Sequence, residues 1–281
     1  MRHHEGTFYG YGRLPLYYQS WQPDDSPRAV LLIVHGHGEH SGRYKNVVER
    51  LVPQGFALYA LDHRGHGRSP GPRGYVNNMA EFRGDVGALL RQAATDHPHV
   101  PLFLLGHSLG GLISLDFLLH HPDAGLRGAI ISAPAVGQVG VSPLLLTASR
   151  VLSRLWPTLS LSTGLDANGI SRDPQAVAAY QGDPLVHSKG TPRLATEIMA
   201  AAARCQANAP TLQLPLLMIH GAADHITSPQ DSRRFFDNAG SADKTYIAYE
   251  GGYHESHNDT HHEQVVADML AWMEKRIADS G

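Results

Sequence analysis

The chain has 281 residues, 42% hydrophobic and 17% charged, a balance that fits a water-soluble globular fold with a sizeable core. A formal net charge of −3 supplies no basic face for nucleic acid. The single cysteine, Cys205, excludes an internal disulfide and suits a reducing, cytoplasmic compartment. The polar start, Met1-Arg2-His3-His4-Glu5, lacks the apolar core of a secretory signal, and no apolar run reaches membrane-spanning length.

In chain order, residues 7–9 and 16–21 predict a hairpin around Gly12-Arg13-Leu14-Pro15. Ala29–Val34 is a continuous apolar run, as expected of a strand buried on both faces. A Gly- and His-rich loop follows, and then Val47, Val48, Leu51 and Val52 mark an amphipathic helix. Phe56–Leu61 reads as the next strand, 79–97 as a helix, 102–105 as a strand, the following apolar stripe as a helix, and Leu126–Ser132 as a further strand. Alternating strands and helices predict a parallel sheet with right-handed crossovers and helices on both faces, with the hairpin as an antiparallel edge.

The rhythm breaks over residues 133–209, where no strand is evident. Leu144, Ala148, Val151, Leu152 and Leu155 form one helical stripe. Leu194, Ile198, Met199, Ala202 and Cys205 form another, opened by Thr191 as N-cap and Pro192 at the first helical position. The strand 216–219, a helix over 228–239, the strand Lys244–Tyr249 and a helix over 261–277 then complete the pattern. The expectation is one domain, 1–281, with a helical cap inserted at 133–209. Leu144-Leu145-Leu146, Trp156, Leu159 and Leu161 make the cap apolar. Most of that surface is expected to pack on the body of the fold. The rest would line an apolar channel, with part of the face available to a membrane or micelle.

Gly106-His107-Ser108-Leu109-Gly110 sits between the strand at 102–105 and the helix after it, the context that a G-x-S-x-G nucleophile elbow requires. A strand reversing sharply into a helix forces its apex residue into an unfavourable backbone conformation, which flanking glycines accommodate. The serine needs a base, and the base an orienting carboxylate, both in loops past strand ends. After the strand 216–219 comes His220-Gly221-Ala222-Ala223-Asp224, and after Lys244–Tyr249 comes Glu250-Gly251-Gly252-Tyr253-His254. Ser108, Asp224 and His254 are therefore the predicted nucleophile, acid and base. Of the competitors, Asp231 is assigned to the surface of the following helix, Asp259 to capping a helix turn, and His257, His261 and His262 to the helix start. The oxyanion donors are predicted as the backbone amides of Leu109 and of His37, in the loop His35-Gly36-His37-Gly38. His35, His37 and His40 match no zinc-binding spacing, and neither a metal nor an organic cofactor is expected. Asp62 is expected to tie its own turn by accepting backbone N–H groups.

Three stretches, with the Asp224 and His254 loops, together resemble the monoacylglycerol lipase and lysophospholipase branch of the α/β-hydrolases. They are His35-Gly36-His37-Gly38-Glu39-His40-Ser41-Gly42-Arg43-Tyr44, Asp62-His63-Arg64-Gly65-His66-Gly67-Arg68-Ser69 and the elbow. The resemblance runs from residue 7 to the end; the run from Gly38 to Tyr44 is its most specific part. It implies an eight-stranded sheet, a cap over an acyl pocket, the triad and oxyanion amides above, and a substrate head held by Glu39 and Arg43, which would otherwise form a structural ion pair. One departure stands out: His37 replaces the small alanine of the family pattern, so that an imidazole would narrow the head-group site or meet the leaving group. The expected reaction is hydrolysis of esters of one fatty acyl chain, monoacylglycerols foremost. The rivals are a lysophospholipase, a short-chain carboxylesterase, a prolyl-aminopeptidase-like peptidase and a non-catalytic binding protein. The peptidase would need an acidic anchor, and Asp166, Asp173, Asp183 and Glu197 are scattered.

Overall fold

The computed structural model describes residues 1–137 and 143–278, without the side chains of 143–148. The chain opens with an antiparallel hairpin, β1 (Arg2–Tyr9) and β2 (Pro15–Gln22). Then come β3 (Ala29–Val34), α1 (Lys45–Leu51), β4 (Phe56–Leu61), α2 (Met79–Asp96), β5 (Leu102–His107), α3 (Leu109–His120) and β6 (Leu126–Ser132). The cap region carries α4 (Pro143–Leu155), α5 (Pro174–Gly182) and α6 (Pro192–Asn208). It also holds a small ribbon of β7 (Leu161–Ser162) and β8 (Lys189–Gly190), which has no counterpart in the sequence expectation. The sheet resumes with β9 (Leu216–Gly221), α7 (Pro229–Asn238), β10 (Lys244–Tyr249) and α8 (His262–Ala278).

Eight strands form the main sheet in the order β1-β2-β4-β3-β5-β6-β9-β10, parallel from β4 to β10 and antiparallel at the β1–β2 edge. The runs β3, β4, β5 and β9 are buried along their whole length, which is why their sequences are apolar on both alternations. Along β5, Leu102 and Leu104 join a core with Val86 and Leu89 of α2 and Leu112 and Leu115 of α3. Phe103 and Leu105 face the other layer, with Val47 and Leu51 of α1 and Val265 and Met269 of α8. Each such buried aliphatic side chain contributes about 1.5–3 kcal/mol relative to exposure. Among the described residues no helix is long and apolar enough to cross a membrane.

The cap rests on this body through α6. Thr191 caps its N-terminus by accepting the Leu194 N–H at 3.2 Å, and Leu194, Ala202 and Cys205 join the α2–α3 core. The stripe predicted for α4 divides differently. Val151 and Leu155 point to solvent, as do Trp156, Leu159 and Leu161, so this apolar row does not pack on the body as expected. Leu144, Leu145, Leu146 and Ala148 lie outside the described side chains.

Candidate active site

Every predicted catalytic loop leaves the same rim, because β3, β5, β9 and β10 are parallel and their C-terminal ends align. At the end of β5, Ser108 adopts φ 54° and ψ −118°, a left-handed conformation costly for a residue with a side chain. Its neighbours hold it there. The Ser108 N–H donates to the Ser132 carbonyl at 2.9 Å, and the Ser108 carbonyl accepts from Ala135 N–H at 3.0 Å and Leu112 N–H at 3.1 Å. Gly110 is required by close approach: a Cβ there would run into the carbonyl oxygens of Val34 and His35. At the first position of α3, the Leu109 N–H has no acceptor within its own helix.

Beyond β9, which extends to Gly221 rather than stopping at 219, the Asp224 carboxylate is saturated with donors. Its Oδ1 accepts the N–H groups of Ile226 (2.7 Å) and Thr227 (3.1 Å). Its Oδ2 lies 2.7 Å from His254 Nδ1, 2.9 Å from His220 Nε2 and 2.9 Å from Thr227 Oγ1. Burial pushes the Asp224 carboxyl up, but the His254 charge and the hydrogen bonds from His220 and His254 outweigh it and hold the group far below the usual carboxylate range. Asp224 is thus an anion that accepts from His254 Nδ1–H, which leaves the lone pair of that ring on Nε2. The His107 ring, next to Ser108, lies 4.7 Å from the His254 ring.

The loop after β3 closes over the same rim. A Cβ on Gly36 would stand 3.1 Å from the Ser108 Cβ, so this backbone runs alongside the serine. Gly36 N–H donates to Glu39 Oε1 at 2.6 Å, and Tyr44 Oη–H donates to the same oxygen at 3.0 Å. The His35 ring donates from Nδ1 to the Gly36 carbonyl (2.7 Å) and accepts the His63 N–H at Nε2 (3.0 Å), which fixes it as the neutral Nδ1–H tautomer. From the cap, the His187 N–H donates to the Gly38 carbonyl at 2.9 Å. Asp62 ties the neighbouring loop by accepting the N–H groups of Ser41 (2.8 Å) and Arg68 (2.7 Å).

Glu39 and Arg43 are buried within protein contacts and border neither of the two cavities lined mainly by the cap. Arg43 does not pair with Glu39. It grips Glu255 through two bonds of 2.9 and 2.7 Å and stacks its guanidinium 4.5 Å from the Tyr180 ring centroid. Burial and the Glu255 charge push the Glu39 carboxyl above its ordinary value.

The competitors also have other placements. His257 is not at the start of α8. It is fully buried in a short 3-10 turn, stacked on Tyr44 at 4.7 Å. Asp259 does more than cap a helix: it accepts from the N–H groups of Tyr253 and Arg172 at 2.8 Å and from Arg172 Nε, tying the cap to the His254 loop. Sequence reasoning missed His220 as a partner of Asp224. Its signal was a histidine within an apolar strand, four residues before the acid. His35, His63, His66, His37 and His187 form a chain of rings 4.2–5.9 Å apart, yet among the described residues no three histidine, cysteine or acidic side chains group as a metal-ligand set.

Two cavities are lined mainly by the cap and reach the loops of the body at His37. One, about 740 Å³, is walled by Leu152, Leu165, Leu194, Ile198, Met199 and Ile226. The other, about 250 Å³, is lined by Tyr180, Gln181, Asp183, His187 and Ser188. His37, Thr163 and Leu165 border both.

A parallel sheet with an antiparallel edge, helices on both faces, an elbow serine after β5 and a helical cap after β6 define an α/β-hydrolase. The sequence model of the family described as serine aminopeptidase, S33, matches residues 25–261. A monoacylglycerol lipase of Mycolicibacterium smegmatis is 38% identical over 271 residues, covering 96% of each chain. Among solved structures, the Paleococcus ferrophilus monoacylglycerol lipase superposes with a TM-score of 0.85 at 35% identity, covering 93% of this chain and 99% of that one. A soluble variant of the Saccharomyces cerevisiae monoglyceride lipase, in complex with a substrate analogue, superposes with a TM-score of 0.86 at 25% identity over 96% and 94%. The chain belongs to this α/β-hydrolase family, in its monoacylglycerol lipase-like branch.

Proposed function

We propose that this chain is a serine hydrolase that cleaves monoacylglycerols to glycerol and a fatty acid. Ser108 is its nucleophile, His254 its base and Asp224 its orienting acid. The observation that carries the mechanism is the buried 2.7 Å contact between His254 Nδ1 and Asp224 Oδ2. With Nδ1–H committed to Asp224, His254 Nε2 takes the Ser108 hydroxyl proton as Oγ attacks the ester carbonyl. The amides of Leu109 and His37 stabilise the tetrahedral oxyanion, each worth about 3–4 kcal/mol. When the carbon–oxygen bond of the leaving alcohol breaks, His254 returns the proton to it. Water then attacks the acyl-Ser108 ester by the same route and releases the acid.

The apolar cavity supports a fatty acyl chain, and the relatives named for monoacylglycerol lipase activity support the glycerol ester. The peptidase reading is disfavoured by the cap carboxylates, each engaged locally. Asp166 and Asp173 cap short helices, Asp183 bonds His40 at 2.8 Å, and Glu197 accepts the Met79 N–H at 3.0 Å. We propose further that the domain is single, with its cap at 133–209, and that the exposed row Val151, Leu155, Trp156, Leu159 and Leu161 meets a micelle or membrane surface. The buried thiol of Cys205 is consistent with a cytoplasmic setting. Purified protein and Ser108→Ala should be compared on monoacylglycerol, lysophosphatidylcholine and p-nitrophenyl esters of graded length. The reading expects monoacylglycerol hydrolysis by the wild type, reduced about a million-fold in the variant. Near-normal turnover by Ser108→Ala would refute the mechanism, and hydrolysis confined to short p-nitrophenyl esters would refute the substrate.

A further inference from the structure

We propose that the His37 imidazole is the group that recognises the leaving alcohol, hydrogen-bonding a neutral polyol between the two cavities and so setting head-group specificity. The backbone of His37 is assigned to the oxyanion; this is a second, separate role for its side chain. The inference rests on the ester-hydrolase reading above.

The side chain is fixed but unsatisfied. Edge-on contacts from His66 (centroids 5.4 Å apart, 81°) and His187 (5.5 Å, 84°) wedge the ring. Both ring nitrogens are buried, and beyond a weak interaction with the Lys189 backbone neither makes a hydrogen bond of normal geometry among the described residues. A buried donor and acceptor without partners are costly, and a ligand that bonds both relieves that cost. Burial and the neighbouring His187 bring its pKa down to about 4. At neutral pH the ring therefore offers one N–H donor and one lone pair, the complement of a pair of hydroxyls.

Its position matches that role. The loop bearing His37 runs beside Ser108, and His37 borders both the large apolar cavity and the small one, whose lining is mixed. With the acyl chain in the apolar cavity, the ester oxygen and its alcohol lie toward the small one. There the Tyr180 hydroxyl, the Gln181 amide and the Ser188 hydroxyl line a space suited to a small polyol. Among the described residues no lysine or arginine lines either cavity, while Asp166 borders one and Asp183 the other. A phosphate head group would find no cation, so the site favours an uncharged alcohol.

The test compares kcat/KM for a 1-monoacylglycerol with that for the propyl ester of the same acid, which lacks both free hydroxyls. The ratio removes any shared loss from a disturbed oxyanion amide. The wild type should favour the glycerol ester at least about tenfold, His37→Ala should abolish most of that preference, and His37→Asn, which keeps a donor and an acceptor, should retain it better than alanine. A wild-type ratio near one, or an unchanged ratio in His37→Ala, overturns the proposal. The wild-type ratio decides the matter even if the variants do not fold. A wild type inactive on both esters would instead remove the hydrolase reading, and this proposal with it.

Discussion

Lowering the pH from about 8 to about 5 should strip this protein of much of its stability, because its buried histidines are held neutral. His37, His63 and His257 are each brought from 6.5 to about 4, in every case chiefly by burial. His35, His66 and His107 are pushed well below the ordinary value, again by burial first. For a histidine lowered on folding, the unfolded chain binds the extra proton, so stability rises with pH through the window from about 4 to about 6.5 and is lost on acidification. A gap of about 2.5 units, at about 1.4 kcal/mol per unit, puts the full cost at about 3.5 kcal/mol per group. At about pH 5 roughly 2 kcal/mol of that has been incurred by each, or roughly 6 kcal/mol for His37, His63 and His257 together. A fold with a typical margin of about 5–15 kcal/mol would be close to its limit. Urea unfolding followed by the fluorescence of the three tryptophans reads this directly. The variant His257→Phe sharpens the test: that ring stacks on Tyr44 and neither nitrogen has a hydrogen-bond partner, so phenylalanine keeps the packing and removes one titration. It should recover about 2 kcal/mol at about pH 5 and little at about pH 8. An unfolding free energy that changes by less than about 1 kcal/mol between the two pH values would refute the reasoning.

Two further outcomes follow from single contacts. His220→Ala removes one of the donors on Asp224 Oδ2, and a hydrogen bond to a charged group is worth about 1.5–3 kcal/mol. Turnover should fall roughly tenfold to a hundredfold with KM little changed; steady-state kinetics within twofold of wild type would exclude His220 from positioning the acid. Glu39→Gln should flatten the stability profile between pH 4.5, the ordinary carboxyl value, and about pH 7, to which the folded group is raised. The raised Glu39 carboxyl keeps a proton in the folded state that the unfolded chain gives up, so the wild type loses stability as pH rises through the folded value. Glutamine still offers an oxygen to Gly36 and Tyr44 and has nothing to ionise. The same change in unfolding free energy in both proteins between about pH 4.5 and about pH 8 would contradict this.

The sheet was readable because burial on both faces leaves apolar runs along β3, β4 and the first four residues of β5 and β9, and parallel strands need helices between them. The candidate site follows the same logic: chemistry in such a sheet gathers at strand ends, so position relative to a strand singles out Asp224 and His254 from many acids and imidazoles, and the fold brings those two into contact. What stayed hidden depends on contacts between distant segments. Arg43 meets Glu255, 212 residues away, rather than Glu39 four residues before it. Periodicity shows that α4 has an apolar face but not which way the cap turns it, and Val151 and Leu155 turn outward. His220 and His257 are polar letters in buried places, and only packing decides whether a histidine is solvated or enclosed.

The central claim is that one serine, activated by His254 on Asp224, carries the reaction. Intact-mass analysis after treatment with a fluorophosphonate measures it most directly. One adduct per chain is predicted, mapped to Ser108 and formed far more slowly in His254→Ala but at near wild-type rate in His261→Ala. An adduct on another residue, or undiminished labelling without His254, would contradict the account.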